Sequence, residues 1–241
     1  MFSSVCFGGS RELPSSFGSF VGGVVGRVLA AAPRASFSVG CAAGGDALAL
    51  QSLAVRGAAS RVSVFCAGDA SGAGFWRFSA FSVVQSVVAA GASPVWLAGG
   101  PLSAPLGERL AARSRAALVP GGVPVAVACW FLFSPVSRGS LAAARAAASA
   151  GIPVVVFCCG WDSALLAPLL SGGSWVPVLG GPFVGGFVWL PSGVVLPPWA
   201  SAGGAARGGL SRRAFAAALG ATGARPAVFS CGALGPLGFG G

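Results

Sequence analysis

Residues 3–11 read Ser-Ser-Val-Cys-Phe-Gly-Gly-Ser-Arg, and residues 36–46 read Ser-Phe-Ser-Val-Gly-Cys-Ala-Ala-Gly-Gly-Asp. Each is a short, nearly continuous apolar run that passes straight into glycines and then reaches a charged residue. Runs of this length bounded by glycine fit strands buried on both faces, and each is followed by a longer stretch rich in Ala, Val and Leu that fits a helix. A strand, a glycine turn and a helix, repeated, make the βαβ pattern of a parallel sheet covered on both sides.

Working outward, the same alternation continues. Strands are expected at 3–7, 36–40, 62–66, 95–98, 125–133 and 153–158, and helices at 17–31, 46–58, 75–90, 105–118 and 140–150. The expected fold class is therefore α/β: a Rossmann-like, doubly wound parallel sheet over residues 1–160. After Gly160 the alternation stops. Short β-like runs at 175–178 and 187–190, separated by Gly and Pro, suggest a β-hairpin extension over 161–200. Residues 201–241 read as a loosely ordered tail rich in Gly, Ala and Arg, with one helix at 211–219.

Composition narrows the class. The 241 residues are 55% hydrophobic and only 8% charged, which raises the question of a membrane protein. The uncharged stretches 78–107 and 163–206 are broken repeatedly by Pro and Gly, and the best apolar segment, 116–133, contains Pro120, Gly121, Gly122 and Pro124. None offers the roughly 20 uninterrupted apolar residues a spanning helix needs. No basic region precedes an apolar run at the N-terminus, so no signal peptide is expected and a cytoplasmic location is the default.

Lysine, histidine, tyrosine and asparagine are absent. Most of the missing residues have codons that begin with adenine or carry it second, as an adenine-poor gene would produce. The formal net charge is +10, with 15 arginines opposed by Glu12, Asp46, Asp69, Glu108 and Asp162. Such a surface attracts polyanions, with an affinity that falls as salt rises. Seven cysteines show no CxxC spacing and no histidine accompanies them, so no metal site and no cofactor are expected; the thiols read as buried small hydrophobes.

The chemistry is expected in three loops that parallel topology brings to one edge of the sheet. The first carries Gly8, Gly9, Ser10 and Arg11, where glycines expose backbone N–H groups near a helix start and the Arg11 fork can hold a phosphate. The second carries Gly40, Gly44, Gly45 and Asp46. Asp46 can cap the following helix or hydrogen-bond a ribose or base, and the two roles are compatible. The third, Ser137, Arg138, Gly139 and Ser140, offers hydroxyls and a cation at the next helix start. Arg109, Arg113 and Arg115 share an arginine-rich helix, of which Arg113 and Arg115 are secondary candidates. Phe75, Trp76, Arg77 and Phe78 form a tight aromatic-basic cluster, either a stacking platform for bases or the buried face of an amphipathic helix.

The order of these motifs resembles the SLOG superfamily. Gly9-Ser10-Arg11 after the first strand, Phe17-Gly18, the run from Val39 to Asp46, and Gly139-Ser140-Leu141 leading to Arg145-Ala146 are similar to the DNA-processing protein A (DprA) members, and more distantly to the Lonely Guy (LOG) members. The resemblance spans residues 3–160 and implies a Rossmann-like domain that binds a nucleotide or single-stranded DNA. LOG phosphoribohydrolases are expected to carry a PGGxGTxxE motif, and Ala143 stands where its glutamate should be. The region after 161 matches no winged-helix domain.

With no His, Lys or Tyr, general acid–base candidates reduce to carboxylates and thiols, and only Glu12 and Asp46 fall in the expected site. No catalytic residue is assigned. The expected function is binding of a nucleotide or single-stranded nucleic acid through the glycine-rich loops, with a LOG-like nucleotide phosphoribohydrolase as the alternative. No membrane partner is expected, and a homodimer is left open.

Overall fold

The apolar runs become strands buried on both faces, and the Ala- and Val-rich stretches between them become the helices that bury them. In the computed structural model, which describes residues 2–200, β1 (Ser4–Gly9), β2 (Ser36–Gly40), β3 (Val62–Phe65), β4 (Ser93–Val95), β5 (Val127–Leu132) and β6 (Val154–Cys158) alternate with α1 (Gly18–Ala31), α2 (Gly45–Val55), α3 (Phe81–Ala89), α4 (Leu106–Leu118) and α5 (Arg138–Ser149). A hairpin of β7 (Gly173–Pro177) and β8 (Phe187–Pro191) follows. The strands form one sheet in the order β4-β3-β2-β1-β5-β6-β8-β7. β1 to β6 are parallel, and β8 joins the free side of β6 antiparallel, so the hairpin prolongs the sheet.

Side-chain alternation divides the core into two layers. Val5 and Phe7 of β1 face the layer of α1, α2 and α3, packed with Val21, Val24, Val25 and Val28, whose helical spacing makes one buried stripe. Cys6 points the other way, with Trp130 and Leu132 of β5 and with Leu141, Ala144 and Ala147 of α5. Each fully buried Val or Leu contributes on the order of 1.5–3 kcal/mol. The fold is Rossmann-like and doubly wound. Among the described residues, no helix is long and apolar enough to cross a membrane.

Several boundaries differ from the sequence reading. The helix expected from residue 75 begins at Phe81, because residues 78–80 bond to the loop after β2: the Ala43 N–H donates to Phe78 O at 2.7 Å and the Ala80 N–H to Cys41 O at 2.9 Å. The fourth strand, expected at 95–98, ends at Val95, and the chain turns at Leu97 with φ +52°. α2 stops at Val55, short of Ala58, because Gly57 adopts φ +69° and lets the Gly57 and Ala58 amides close on Ala54 and Leu53. The tail at 201–241 and its helix at 211–219 lie outside the described residues.

Candidate functional site

β1 is followed by β2 on one side of the sheet, whereas β5, reached by α4, lies on the other, so the strand order reverses between β1 and β5. That reversal opens a crevice beyond the carboxyl ends of the two strands. A cavity of about 440 Å³ lies there, reaching in between α4 and α5. Of the expected residues, Gly8, Gly9, Arg11, Gly40, Asp46, Arg113, Arg115, Arg138, Gly139 and Ser140 line it. All three loops leave the same edge of the sheet.

Ser10, Gly44, Gly45 and Ser137 belong instead to the scaffold behind the cavity. Ser10 accepts from the Phe133 N–H at 2.9 Å through Oγ, shares a 2.7 Å hydrogen bond with Ser137 Oγ, and donates its amide to Phe131 O at 2.8 Å. It thereby ties the loop after β1 to the loop after β5. Gly45 packs against Gly9 so closely that a Cβ on Gly45 would sit 2.5 Å from Gly9 Cα. Gly44 opens α2 with φ +68°, against the backbone of Ser10 and Arg11. These glycines serve backbone contact, and Ser137 and Ser10 satisfy one another.

Asp46 does not cap its own helix. Its carboxylate accepts from the Gly9 N–H at 3.2 Å through Oδ1, and through Oδ2 from the Ala42 N–H at 3.2 Å and from Arg113 Nη1 at 3.0 Å. Both members of this ion pair are buried, at 5% and 8% exposure. Burial is the largest influence and works against the Arg113 charge, but the attraction and hydrogen bond of Asp46, together with Cys41 and Cys6, hold the guanidinium above its ordinary pKa. Gly40 makes room for the pair, since any Cβ there would run into both Arg113 and Asp46.

The charged groups of the lining are mostly cations. Arg11, Arg113, Arg115 and Arg138 stand against one carboxylate, and among the described residues Arg113 alone has an acidic partner. No side chain caps the N-terminus of α5 at Arg138, so its first-turn amides add partial positive charge beside Gly139 and Ser140. The remaining walls are apolar: Leu110 and Ala111 of α4, Ala143 and Ala146 of α5, and the rings of Trp76 and Trp130. Glu12 does not line the cavity.

Sequence reasoning placed Arg113 in an arginine-rich helix without seeing that it faces inward. The signal was present, because Arg109, Arg113 and Ala117 recur every four residues and share the buried face of α4. Trp130 was missed as a cavity wall. Trp130 follows from alternation along β5, which puts it on the α5 side with Ala128 and Leu132. Trp76 was singled out within the aromatic-basic cluster at 75–78, read as a stacking platform or a helix face, and the structure puts it in the loop before α3, at the cavity wall.

The described cysteines are all free, and no cluster of three or more potential metal ligands occurs among the described residues. Burial pushes the Cys6 thiol up to about 12, and does the same for Cys158 and Cys159. Neither a model of a known protein family nor a curated protein matches this chain.

Proposed function

We propose that the cavity binds a small phosphorylated ligand of the nucleotide class, without turning it over. The observation that carries this reading is the cavity itself: it lies at the strand-order reversal, and it is lined by four arginines, by Gly8 and Gly9, and by an uncapped helix start. Its volume of about 440 Å³ lies within the range of roughly 300 to 1,000 Å³ usual for small-molecule sites. A polynucleotide would need a continuous groove with free stacking rings. Phe78, half-buried in the aromatic-basic cluster, already has Arg77 4.6 Å and Arg11 5.5 Å from its ring centroid.

Binding without turnover is favoured by the state of Asp46, the one carboxylate of the cavity. Two amides and Arg113 already take it up, which suits a scaffold role better than proton transfer. Ala143, where a phosphoribohydrolase of the resembled type would carry its glutamate, does line the cavity, and it presents a methyl group.

The test is a titration of the protein with nucleoside monophosphates, ribose 5-phosphate and a single-stranded oligonucleotide, each at about 50 and about 200 mM salt. Tight binding of nucleotides with a shallow salt dependence supports the reading. Binding confined to the oligonucleotide, falling steeply with salt, would replace it with a nucleic-acid interface.

A further inference from the structure

Residues 67–80, between β3 and α3, reach the cavity from the side of α4 and supply one of its walls. Buried Arg109 pins this loop from below, donating through Nη1 to Ala67 O at 2.7 Å and to Gly74 O at 3.2 Å. The bonds from Ala43 to Phe78 and from Ala80 to Cys41 fix its far end, and Phe75 packs on Phe81 with ring centroids 4.7 Å apart. Between these anchors, Trp76 lines the cavity.

Four buried side-chain polar atoms among the described residues have no hydrogen-bond partner, and three of them lie in this region: Trp76 Nε1, Arg109 Nε and Arg113 Nε. A buried indole N–H ordinarily finds an acceptor, because leaving one unmade is costly. All three atoms are donors. Trp76 and Arg113 line the cavity, whereas Arg109 does not, so a ligand there meets the first two residues, and what complements their donors is a group bearing acceptors. The phosphate-binding elements, β1 and the start of α5, come from other parts of the chain, so the two ends of a ligand would be recognised by separate groups.

We propose that Trp76 is the residue that distinguishes a base-bearing nucleotide from a bare sugar phosphate. The proposal rests on the nucleotide reading of the cavity. The base lies at the edge of the indole, roughly in its plane, and one of its ring nitrogens or carbonyls accepts from Nε1. Because Nε1 is covered in the structure, the indole turns as the base enters. Arg109 acts as a positioning residue that keeps the loop, and so the indole, at the cavity wall.

The experiment compares wild type with Trp76→Phe, which keeps an aromatic ring and removes the N–H, by calorimetric titration with AMP, CMP, GMP, UMP and ribose 5-phosphate. Wild type is expected to bind at least one nucleoside monophosphate more tightly than ribose 5-phosphate. Trp76→Phe is expected to weaken that nucleotide about tenfold, the loss typical of one buried hydrogen bond, and to leave ribose 5-phosphate unchanged. The unchanged sugar phosphate also shows that the variant is folded. Equal affinity of the two proteins for the nucleotide, or an equal loss for both ligands, overturns the assignment of Trp76 while leaving the phosphate site standing. Failure of wild type to bind any of these ligands overturns the nucleotide reading and this assignment together.

Discussion

Arg113 Nη1 meets Asp46 Oδ2 at 3.0 Å over the bare Cα of Gly40, and this buried pair joins α4 to the start of α2 beneath the candidate site. Removing one partner leaves the other charge stranded. Arg113→Met should therefore cost about 3–5 kcal/mol of stability, whereas the double variant Arg113→Met/Asp46→Asn should cost clearly less than the two single changes summed. Urea denaturation of the four proteins gives the coupling, and a value near zero would show that the pair does not hold these elements together.

Gly45 and Gly139 both lie near the site, yet their surroundings are opposite. A Cβ on Gly45 would strike Gly9, whereas a Cβ on Gly139 would meet nothing within 4 Å. Gly45→Ala should destabilise by about 1–3 kcal/mol through overpacking, and Gly139→Ala should be neutral or stabilising in the first turn of α5. Thermal melts compare them directly. A stable Gly45→Ala protein would mean that the two loops are not in contact.

Cys6, Cys158 and Cys159 have thiols raised to about 12 from an ordinary value of 9.0, chiefly by burial. A folded-state pKa raised above the unfolded one contributes stability that is complete below the unfolded value and is lost as pH climbs toward the folded value. The thiols should thus leave stability unchanged up to about pH 8, then erode it between about 9 and 12. Replacing Cys6 by Ala should flatten that decline, as followed by denaturation at stepped pH. An equally steep decline in the variant would assign the loss to other groups.

Incubation with AMP should release no adenine at ordinary enzyme rates. Oxocarbenium character on the ribose calls for a nearby carboxylate, Ala143 offers none, and losing such a group commonly costs on the order of 100-fold or more. Rapid adenine release, abolished by Asp46→Asn, would make Asp46 a catalytic base and the protein an enzyme.

The fold was legible where local pattern and tertiary context agree. The apolar run 36–40 reads as a strand and is one, residue for residue, because both faces of β2 are buried. The loops after β1, β2 and β5 were legible as a group, since parallel topology alone brings them to one edge. Their division of labour was not: Ser10 and Ser137 look like phosphate ligands in sequence, and only the 2.7 Å contact between them shows that they satisfy each other. Residues 75–80 read as helical from their own pattern, and hydrogen bonds to residues 41 and 43, invisible to any local window, draw them out of the helix.

The most direct test of the central claim is the affinity for a nucleoside monophosphate of a protein in which the two rim arginines beside β1 and α5 are neutralised together. Arg11 and Arg138 are exposed and have no acidic partner among the described residues, so Arg11→Gln/Arg138→Gln should melt at the wild-type temperature. If the cavity at the β1–β5 reversal holds a phosphate, calorimetry should show the double variant binding at least tenfold more weakly than wild type, since hydrogen bonds to a charged group are worth about 1.5–3 kcal/mol each. Unchanged nucleotide affinity in that folded variant would place the ligand elsewhere and contradict the account.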